Sequence, residues 1–382
     1  MTSNTRFAFE TQVFDFVAKH IWPVMRPFAA RHLSRRCRRC LLSERCTGLD
    51  SQGVCAHCRQ HDPTGEDQTA AQPSADLKMS LDGLLREYQR RGHDLYDALL
   101  MFSGGKDSTY LLHRLRTEFP GLRLLLVSVD NGFMSPYAID NIRGVLDHFD
   151  VDAITFKVPL PFTRKLFRHA MTHLNEEGGY GTVDRMDGYL THDVSKNLAA
   201  RLQIPLVISG LSRTQVQKIF KLESFEMPPE IERQKAVSYA GIQLNEVFSA
   251  EEMRYWWDGS AWPAERVPRF IFPFYAWAPD EHYIIREVQR LKLLDPKKSS
   301  PLVTNNELIP VIGLIDVAKF GYSTFEPEFA QMIREGKTER HYWLNVFEML
   351  EYSAKTGRFI SSTVDQTLGK LGLTRADVGL TA

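Results

Sequence analysis

What this chain lacks narrows its class before any motif is considered. All five cysteines lie between Cys37 and Cys58, and none of the residues that follow is a cysteine. An odd number of cysteines confined to one short stretch argues against a secreted disulfide framework. No run of about 18 apolar residues is present, which disfavours a membrane span. The N-terminus also lacks the residue order of a secretory signal, so we expect a cytoplasmic protein.

The chain also lacks a surplus of either charge. Lys and Arg together number 47, and so do Asp and Glu. The composition therefore gives no general attraction for a polyanion, and nucleic acid is not an expected partner. The exception is local, because residues 31–39 read RHLSRRCRR and adjoin the first cysteine.

Residues 5–33 carry aromatic and aliphatic residues at near-helical spacing, with Pro23 and Pro27 expected to kink or break the second half. One interpretation is a helix docked on the core or on a second subunit. The other is a helix in peripheral contact with a membrane, since basic residues accompany the aromatic ones. These basic residues are Lys19, His20, Arg26 and Arg31.

The cysteines form two Cys-x2-Cys pairs separated by 14 residues, namely Cys37 with Cys40 and Cys55 with Cys58. This spacing favours a structural Zn²⁺ site of four thiolates. A nucleic-acid-binding ribbon that uses the adjacent arginines and a redox or iron–sulfur site remain as alternatives. Cys46 is left over, either as an exchangeable ligand or as a small apolar residue.

From Asp97 the sequence alternates apolar runs with amphipathic segments. The predicted strands cover residues 98–102, 123–130, 153–158 and 205–210. The predicted helices between them cover residues 107–119, 135–149 and 191–203. This alternation predicts an α/β fold, with a parallel twisted sheet that has helices on both faces.

Composition suggests five segments along the chain. They are an N-terminal amphipathic helical segment (1–35), a double-CxxC zinc knuckle (36–60), a linker (61–79), the α/β domain (80–211) and a mostly helical C-terminal region (212–382). Helices are expected in that last region at residues 279–294, 307–319, 325–335 and 339–354. We expect this C-terminal unit to shape a substrate pocket.

The sequence SGGKDS, residues 103–108, lies where the first predicted strand meets the first predicted helix. Two glycines allow a sharp turn and a close approach to an anion, and a helix N-terminus attracts negative charge. Lys106 and the hydroxyls of Ser103 and Ser108 can donate to phosphate oxygens. Asp107 is expected to hold Mg²⁺ between itself and the phosphates. The spacing is not that of the Walker loop.

This motif resembles that of the PP-loop ATP pyrophosphatase superfamily, which has an adenine-nucleotide α-hydrolase-like fold. The resemblance implies ATP as cofactor, cleavage between its α and β phosphates, and catalytic roles for Lys106, Asp107 and Ser108. The implied ATP-binding residues are Ser103, Gly104, Gly105, Lys106, Asp107, Ser108, Val129, Asp130, Asn131, Ser209 and Gly210.

The α/β domain has no cysteine, which disfavours sulfur transfer through its own thiols, and no glutaminase nucleophile follows Cys58. Ammonia from a partner subunit is the simpler nucleophile. The two cysteine pairs, FPFY at 272–275 and residues 301–340 further resemble the N-acetyl sugar amidotransferase family. That resemblance implies a nucleotide-linked N-acetyl sugar as substrate, a glutaminase partner, and a role in surface polysaccharide biosynthesis.

Several polar residues of the C-terminal region are candidates for a sugar and diphosphate pocket. They are Thr304, Asn305, Asn306, Tyr322, Glu326, Glu328 and Arg334. The favoured function is an AMP- and pyrophosphate-forming amidotransferase, a ligase that adenylates an amide or carbonyl oxygen. The alternatives are a tRNA-thiolating enzyme and a non-catalytic zinc-knuckle module that binds nucleotide.

Overall fold

The computed structural model describes residues 3–61, 73–294, 306–359 and 361–380. The chain divides into two compact units. The first unit comprises Met1–Ala70, Arg164–Met186 and Asn306–Ala382, and the second comprises Ala71–Thr163 and Asp187–Asn305. Most of the linker expected at 61–79 lies outside the described residues, because the description stops at 61 and resumes at 73.

The helices account for most of the regular structure. In chain order they are α1 (Ser3–Phe16), α2 (Trp22–Ala29), α3 (Ala56–Gln60), α4 (Ala75–Tyr88), α5 (Lys106–Glu118), α6 (Pro136–His148), α7 (Leu160–Thr172), α8 (Arg185–Arg201), α9 (Arg213–Phe220), α10 (Pro229–Glu232), α11 (Leu244–Val247), α12 (Pro273–Trp277), α13 (Glu281–Arg290), α14 (Leu308–Phe320), α15 (Glu326–Arg334), α16 (Arg340–Thr356) and α17 (Ser361–Leu371). In the described ranges, no helix combines the length and the hydropathy needed to cross a bilayer.

The strands form one five-stranded sheet and one short hairpin. They are β1 (Ala98–Met101), β2 (Leu124–Asp130), β3 (Asp152–Lys157), β4 (Leu206–Ile208), β5 (Ser238–Tyr239), β6 (Ile242–Gln243) and β7 (Arg269–Ile271). The large sheet has the order β3-β2-β1-β4-β7 with every pair parallel, while β5 and β6 pair antiparallel. The predicted parallel α/β fold is therefore confirmed, and four of its five strands are the predicted ones.

The second unit owes its core to the apolar runs that were predicted as strands. All four residues of β1 and nearly all of β2 are buried, as expected for a parallel sheet covered by helices. In the large sheet, β2 and β3 lie on one side of β1, and β4 and β7 lie on the other. The connections leave β1 and β4 in opposite directions, so a topological switch point lies between these two strands. In such sheets a crevice opens beyond the carboxyl ends of the strands at this point.

The first unit is helical. Its N-terminal helix is a continuous helical segment made of α1, a π-helical turn and α2. This helix packs on α16, where Trp22 Nε1 donates to Glu348 Oε2 at 2.8 Å and Asn345 Nδ2 donates to the carbonyl of Ala18 at 2.8 Å. A kink or a break was expected at Pro23 and Pro27, and the break does not occur, since α2 continues through both prolines to Ala29. A π-helical turn at Val17–Ile21 immediately precedes α2. Pro23 falls in the first turn of α2, where a missing N–H is tolerated.

Candidate functional site

The loop between β1 and α5 is built around one left-handed glycine. Gly104 has φ +73°, and a Cβ placed there would lie 2.8 Å from Ile142 Cγ1 and 2.9 Å from the carbonyl oxygen of Ala138. Only glycine meets both demands without strain. Gly105 is the N-cap of α5, and no side chain makes a capping hydrogen bond there. The first N–H groups of α5 therefore lie in an anion-attracting position.

The two hydroxyls of the loop lie together. Ser103 Oγ and Ser108 Oγ are 3.3 Å apart, the N–H of Gly105 donates to Ser103 Oγ at 3.3 Å, and Ser108 Oγ donates to the carbonyl of Gly105 at 3.1 Å. These bonds close the turn. They also place both hydroxyls beside the helix N-terminus.

Lys106 carries the positive charge of the loop. Its Nζ lies 2.8 Å from Asp107 Oδ2 and 3.3 Å from Glu281 Oε1. Burial disfavours the charged amine, but the two carboxylates outweigh it and raise the pKa of Lys106 above its ordinary value. Lys106 is therefore a permanent cation at neutral pH, held between two anions.

The end of β4 lies against the same loop. A Cβ on Gly210 would be 3.8 Å from Ser108 Cα and 3.5 Å from Leu111 Cδ2, so Gly210 packs directly on the start of α5. Ser209 is buried, and its N–H donates to the carbonyl of Ile271 on the next strand at 3.0 Å. The structure thus brings Ser209 and Gly210 to the switch point together with residues 103–108.

The end of β2 borders β1, because Ser128 Oγ donates to the carbonyl of Phe102 at 2.7 Å. Val129 is buried in β2. Asp130 accepts from Lys157 Nζ at 3.0 Å, and Asn131 Nδ2 donates to Asp187 Oδ1 at 2.5 Å. Both side chains also accept from nearby backbone N–H groups. These hydrogen bonds hold the loop after β2 in one conformation. Because the two side chains are engaged in them, the backbone N–H and C=O groups of the loop are the groups that remain to contact a ligand.

The four paired cysteines form a compact cluster in the first unit. The Sγ atoms of Cys37, Cys40, Cys55 and Cys58 all lie within 4.8 Å of one another, and all four residues are buried. Cys40 Sγ and Cys55 Sγ are 3.7 Å apart. Zn–S bonds of about 2.3 Å in a tetrahedron separate two sulfurs by about 3.8 Å. The donor set therefore fits a single tetrahedral ion, so the cluster can bind a metal.

Polar contacts surround this cluster. The N–H of Cys55 donates to Cys37 Sγ at 3.3 Å, and Arg340 donates to the carbonyls of Cys37 and Cys40. Burial raises the pKa of the Cys58 thiol to about 11. A cation placed among the four sulfurs would reverse this effect, since a coordinating thiol is deprotonated.

Beside the cluster lies a buried ionic triad. Arg36 contacts Glu326 at 2.9 Å and Glu351 at 3.0 Å, and all three side chains are almost completely buried. Glu326 also accepts the N–H of Ser43 at 3.1 Å. This triad joins the segment before the first cysteine to α15 and α16, so Glu326 has a structural role.

Cys46 lies outside the metal-binding group. Burial raises the pKa of its thiol to about 11, and it contacts the hydroxyl of Tyr322. Tyr322, Asn306 and Arg334 all belong to the first unit, and Asn306 Oδ1 accepts the N–H of Leu308 at the start of α14 at 2.9 Å. Thr304 and Asn305 lie outside the described residues. The sugar-binding role of this group stays a prediction.

Glu281 is the functional candidate that sequence reasoning missed. It begins α13, whose Asp280 cap accepts the N–H of Tyr283 at 2.9 Å. Tyr283 meets Tyr110 of α5 edge-on at 5.9 Å between ring centroids. The packing of α13 on α5 brings Glu281 to Lys106. The only sequence signal was the Asp-Glu pair at the start of a predicted helix.

No protein-family model matches the chain. An uncharacterized protein of Methanocaldococcus jannaschii is 38% identical over 76 residues, which cover 20% of this chain and 27% of that protein. The chain thus spans about a quarter of the length of the curated relative it matches.

Two solved structures are similar to the chain. The U34-tRNA thiolase NcsA from Methanococcus maripaludis, with its 4Fe-4S cluster, is 14% identical with a TM-score of 0.32, covering 92% of this chain and 99% of that one. NMN synthetase from Francisella tularensis is 10% identical with a TM-score of 0.32, covering 78% and 96%.

Proposed function

We propose that the chain is a PP-loop enzyme that binds ATP at the switch point between β1 and β4 and forms AMP and pyrophosphate. One observation carries the proposal. An uncapped helix N-terminus, a left-handed glycine and a lysine converge in residues 103–108, beyond the carboxyl end of β1. Backbone N–H groups and a fixed cation are what a departing pyrophosphate requires.

The residues of the loop would divide the work between them. The N–H groups of α5 and the hydroxyls of Ser103 and Ser108 would bind the β and γ phosphates. Lys106 would stabilise negative charge that accumulates as the bond between the α-phosphorus and its bridging oxygen breaks. Asp107 would hold Mg²⁺, which neutralises phosphate charge when bound. Asp130 and Asn131, tied down by side-chain bonds, would present the backbone of their loop to adenine.

The finer proposal concerns the acceptor. An amide oxygen of a nucleotide-linked N-acetyl sugar attacks the α-phosphorus, pyrophosphate leaves, and ammonia then displaces AMP from the adenylated carbon to give an acetamidine. The cysteine-free α/β domain supports ammonia over a thiol of that domain as nucleophile. The ammonia would come from a glutaminase partner. Such an enzyme would serve surface polysaccharide biosynthesis in the cytoplasm.

We further propose that the four-cysteine cluster holds structural Zn²⁺. The spacing of 3.7 Å between Cys40 Sγ and Cys55 Sγ supports one tetrahedral ion. An iron–sulfur cube is ligated at separate irons, so it needs more widely spaced thiolates. Zinc in such a site contributes to folding rather than to the reaction. Metal analysis should find one zinc per chain and no visible absorption from iron–sulfur.

The proposed reaction is tested by pyrophosphate release. ATP and Mg²⁺ would be supplied with ammonium and UDP-linked N-acetyl sugars in one series, and with tRNA and a sulfide source in another. We expect pyrophosphate and AMP in equal amounts in the sugar series. Lys106→Met should lower the rate by at least about a hundredfold, as the loss of a transition-state donor does.

The matched control is Lys235→Met. Lys235 is an exposed lysine of the same unit that pairs with Asp258 at 3.7 Å, and its removal should leave the rate unchanged. Pyrophosphate that appears only with tRNA would replace the sugar proposal by tRNA thiolation. That second candidate is favoured by the exposed arginines beside the cysteine cluster. These are Arg31, Arg35, Arg38 and Arg39. ATP binding without turnover in either series would indicate a non-catalytic module.

A further inference from the structure

The N-terminal helix of the first unit has two apolar faces, of which one is covered. On the covered face, Trp22 is fully buried and its indole N–H donates to Glu348 of α16. Arg26 also turns inward, since its Nε lies 2.6 Å from Glu348 Oε2. The helix is therefore firmly docked without any contribution from its other face.

The other face is a stripe of exposed apolar side chains. Phe9 is 57% exposed, Phe16 56%, Val24 71% and Phe28 85%. Val13, at 38%, completes the stripe between the first two of these. Nothing on this face is needed to hold the helix to α16. A soluble monomer rarely exposes so many large apolar groups side by side.

The stripe stays on one side of the helix because of the π turn. Its members lie at positions 9, 13, 16, 20, 24 and 28, and the centroid of the His20 ring lies 5.0 Å from that of Phe16 with the rings tilted by 51°. The later spacings of four exceed the 3.6 residues of an α-helical turn, and the wider turn at Val17–Ile21 compensates for the difference. The stripe is about 28 Å long at 1.5 Å per residue.

The net charge of the segment that carries the stripe is positive. Residues 3–39 contain two acidic side chains, and both are engaged with the protein. Asp15 accepts from Tyr342 at 2.6 Å, and Glu10 accepts the N–H of Thr363 at 2.9 Å. Lys19 is exposed and pairs with Asp15 at 2.6 Å. The positive charge of the described surface therefore comes from the exposed arginines that follow the stripe, namely Arg31, Arg35, Arg38 and Arg39. An apolar stripe is thus followed along the chain by four exposed arginines.

We propose that this face binds the surface of an anionic membrane. Aromatic and aliphatic side chains that enter the boundary between headgroups and acyl chains, flanked by Lys and Arg, are the features of a helix lying in the plane of a bilayer. A second copy fits less well. A second copy would cover the apolar stripe but make no use of the exposed arginines that follow it. Nucleic acid would use the arginines but leave the apolar stripe bare.

The test is flotation of the full-length, metal-loaded protein with vesicles. Vesicles of phosphatidylcholine and phosphatidylglycerol in equal parts should carry the protein, and phosphatidylcholine alone should carry much less. Phe16→Ser with Phe28→Ser should weaken binding by about a hundredfold, tenfold for each ring withdrawn from the bilayer. Val237→Ser, which removes a 64% exposed valine in the second unit, should change nothing.

The charge contribution has its own variants. Arg35→Gln and Arg38→Gln should each weaken binding to the anionic vesicles by about fivefold, and added salt should do the same. Wild-type protein that stays unbound with anionic vesicles overturns the proposal. So does binding that the Phe double variant leaves intact. A dimer in sedimentation velocity that the same variant splits would assign the stripe to a second copy instead.

Discussion

Replacing Gly104 by alanine tests the geometry on which the proposed ATP site depends. The backbone at this residue has φ +73°, which costs an L-residue about 1–2 kcal/mol. The new Cβ would also come within 2.8 Å of Ile142 Cγ1 and 2.9 Å of the carbonyl of Ala138. Overpacking of this kind costs about 1–3 kcal/mol. Alanine also lowers the conformational entropy of the unfolded chain, which stabilises the folded state by about 0.4–1 kcal/mol.

The net expectation is a loss of about 1–4.5 kcal/mol in the free energy of unfolding of the second unit. Urea unfolding followed by circular dichroism measures it, and ATP titration calorimetry reports on the loop itself. We expect ATP binding to weaken as well, because the turn must open to admit the methyl group. The loss of binding would follow from displaced N–H groups at the start of α5.

The matched control is Gly144→Ala. Gly144 lies in α6, and nothing lies within 4 Å of the position of its added Cβ. Alanine there should raise the free energy of unfolding by about 0.5–1 kcal/mol, because glycine is a poor helix former. If Gly104→Ala unfolded at the urea concentration of the wild type while Gly144→Ala shifted as expected, the left-handed turn would not be a requirement of the fold.

Three further outcomes are expected. Glu281→Gln should tighten ATP binding about two- to fivefold by calorimetry, because phosphate no longer competes with that partly exposed carboxylate for Lys106. Burial and the charge of Lys196 lower the pKa of His192 to about 3 from 6.5, so the native state loses about 1.4 kcal/mol per pH unit as pH falls between these values. His192→Phe should flatten that slope in urea unfolding at a series of pH values. Cys40→Ser should abolish stoichiometric zinc in metal analysis and lower the thermal midpoint of the first unit.

Each of these has an outcome that would contradict it, and the last two have a control variant within the chain. Weaker ATP binding by Glu281→Gln would mean that the carboxylate assists the nucleotide rather than competing with it. His93 is exposed, so His93→Gln should keep the acid slope, and a wild-type slope in His192→Phe would contradict the buried neutral imidazole. Cys46→Ser should retain zinc because Cys46 is outside the cluster, and zinc loss there would make Cys46 a ligand.

Much of the fold could be predicted from the periodicity of apolar residues and from the spacing of the cysteines. The strand β2 lies within one residue of its predicted bounds, and α5 and α14 likewise begin one residue from theirs. These elements combine a continuous apolar run or a clear helical period with marked ends, which is where local sequence is informative. The cysteine cluster was predicted for the same reason, because its ligand spacing is local.

The sequence did not predict features that depend on contacts between residues far apart in the chain. The strand β7 has three residues and follows a long irregular stretch. It is too short to show the hydrophobic periodicity that would identify a strand. The start of α8 is six residues earlier than predicted because three glycines between 179 and 188 disguise a helical segment. The helical period of residues 5–33 was visible, but not that Phe14 faces inward while Phe16 faces solvent. Which aromatic residue faces inward depends on the elements that pack against the helix.

Arg340 gives the cysteine cluster a consequence beyond its own residues. Arg340 lies in the first turn of α16 and donates hydrogen bonds to the peptide carbonyls of Cys37 and Cys40. Glu348 of the same helix accepts a hydrogen bond from Trp22. Removal of a bound metal would therefore destabilise α16 and the N-terminal helix as well as the cysteine cluster. Amide hydrogen exchange should quicken in all three elements at once on chelation. The concentration of available zinc would then set how rigidly the chain presents its N-terminal end.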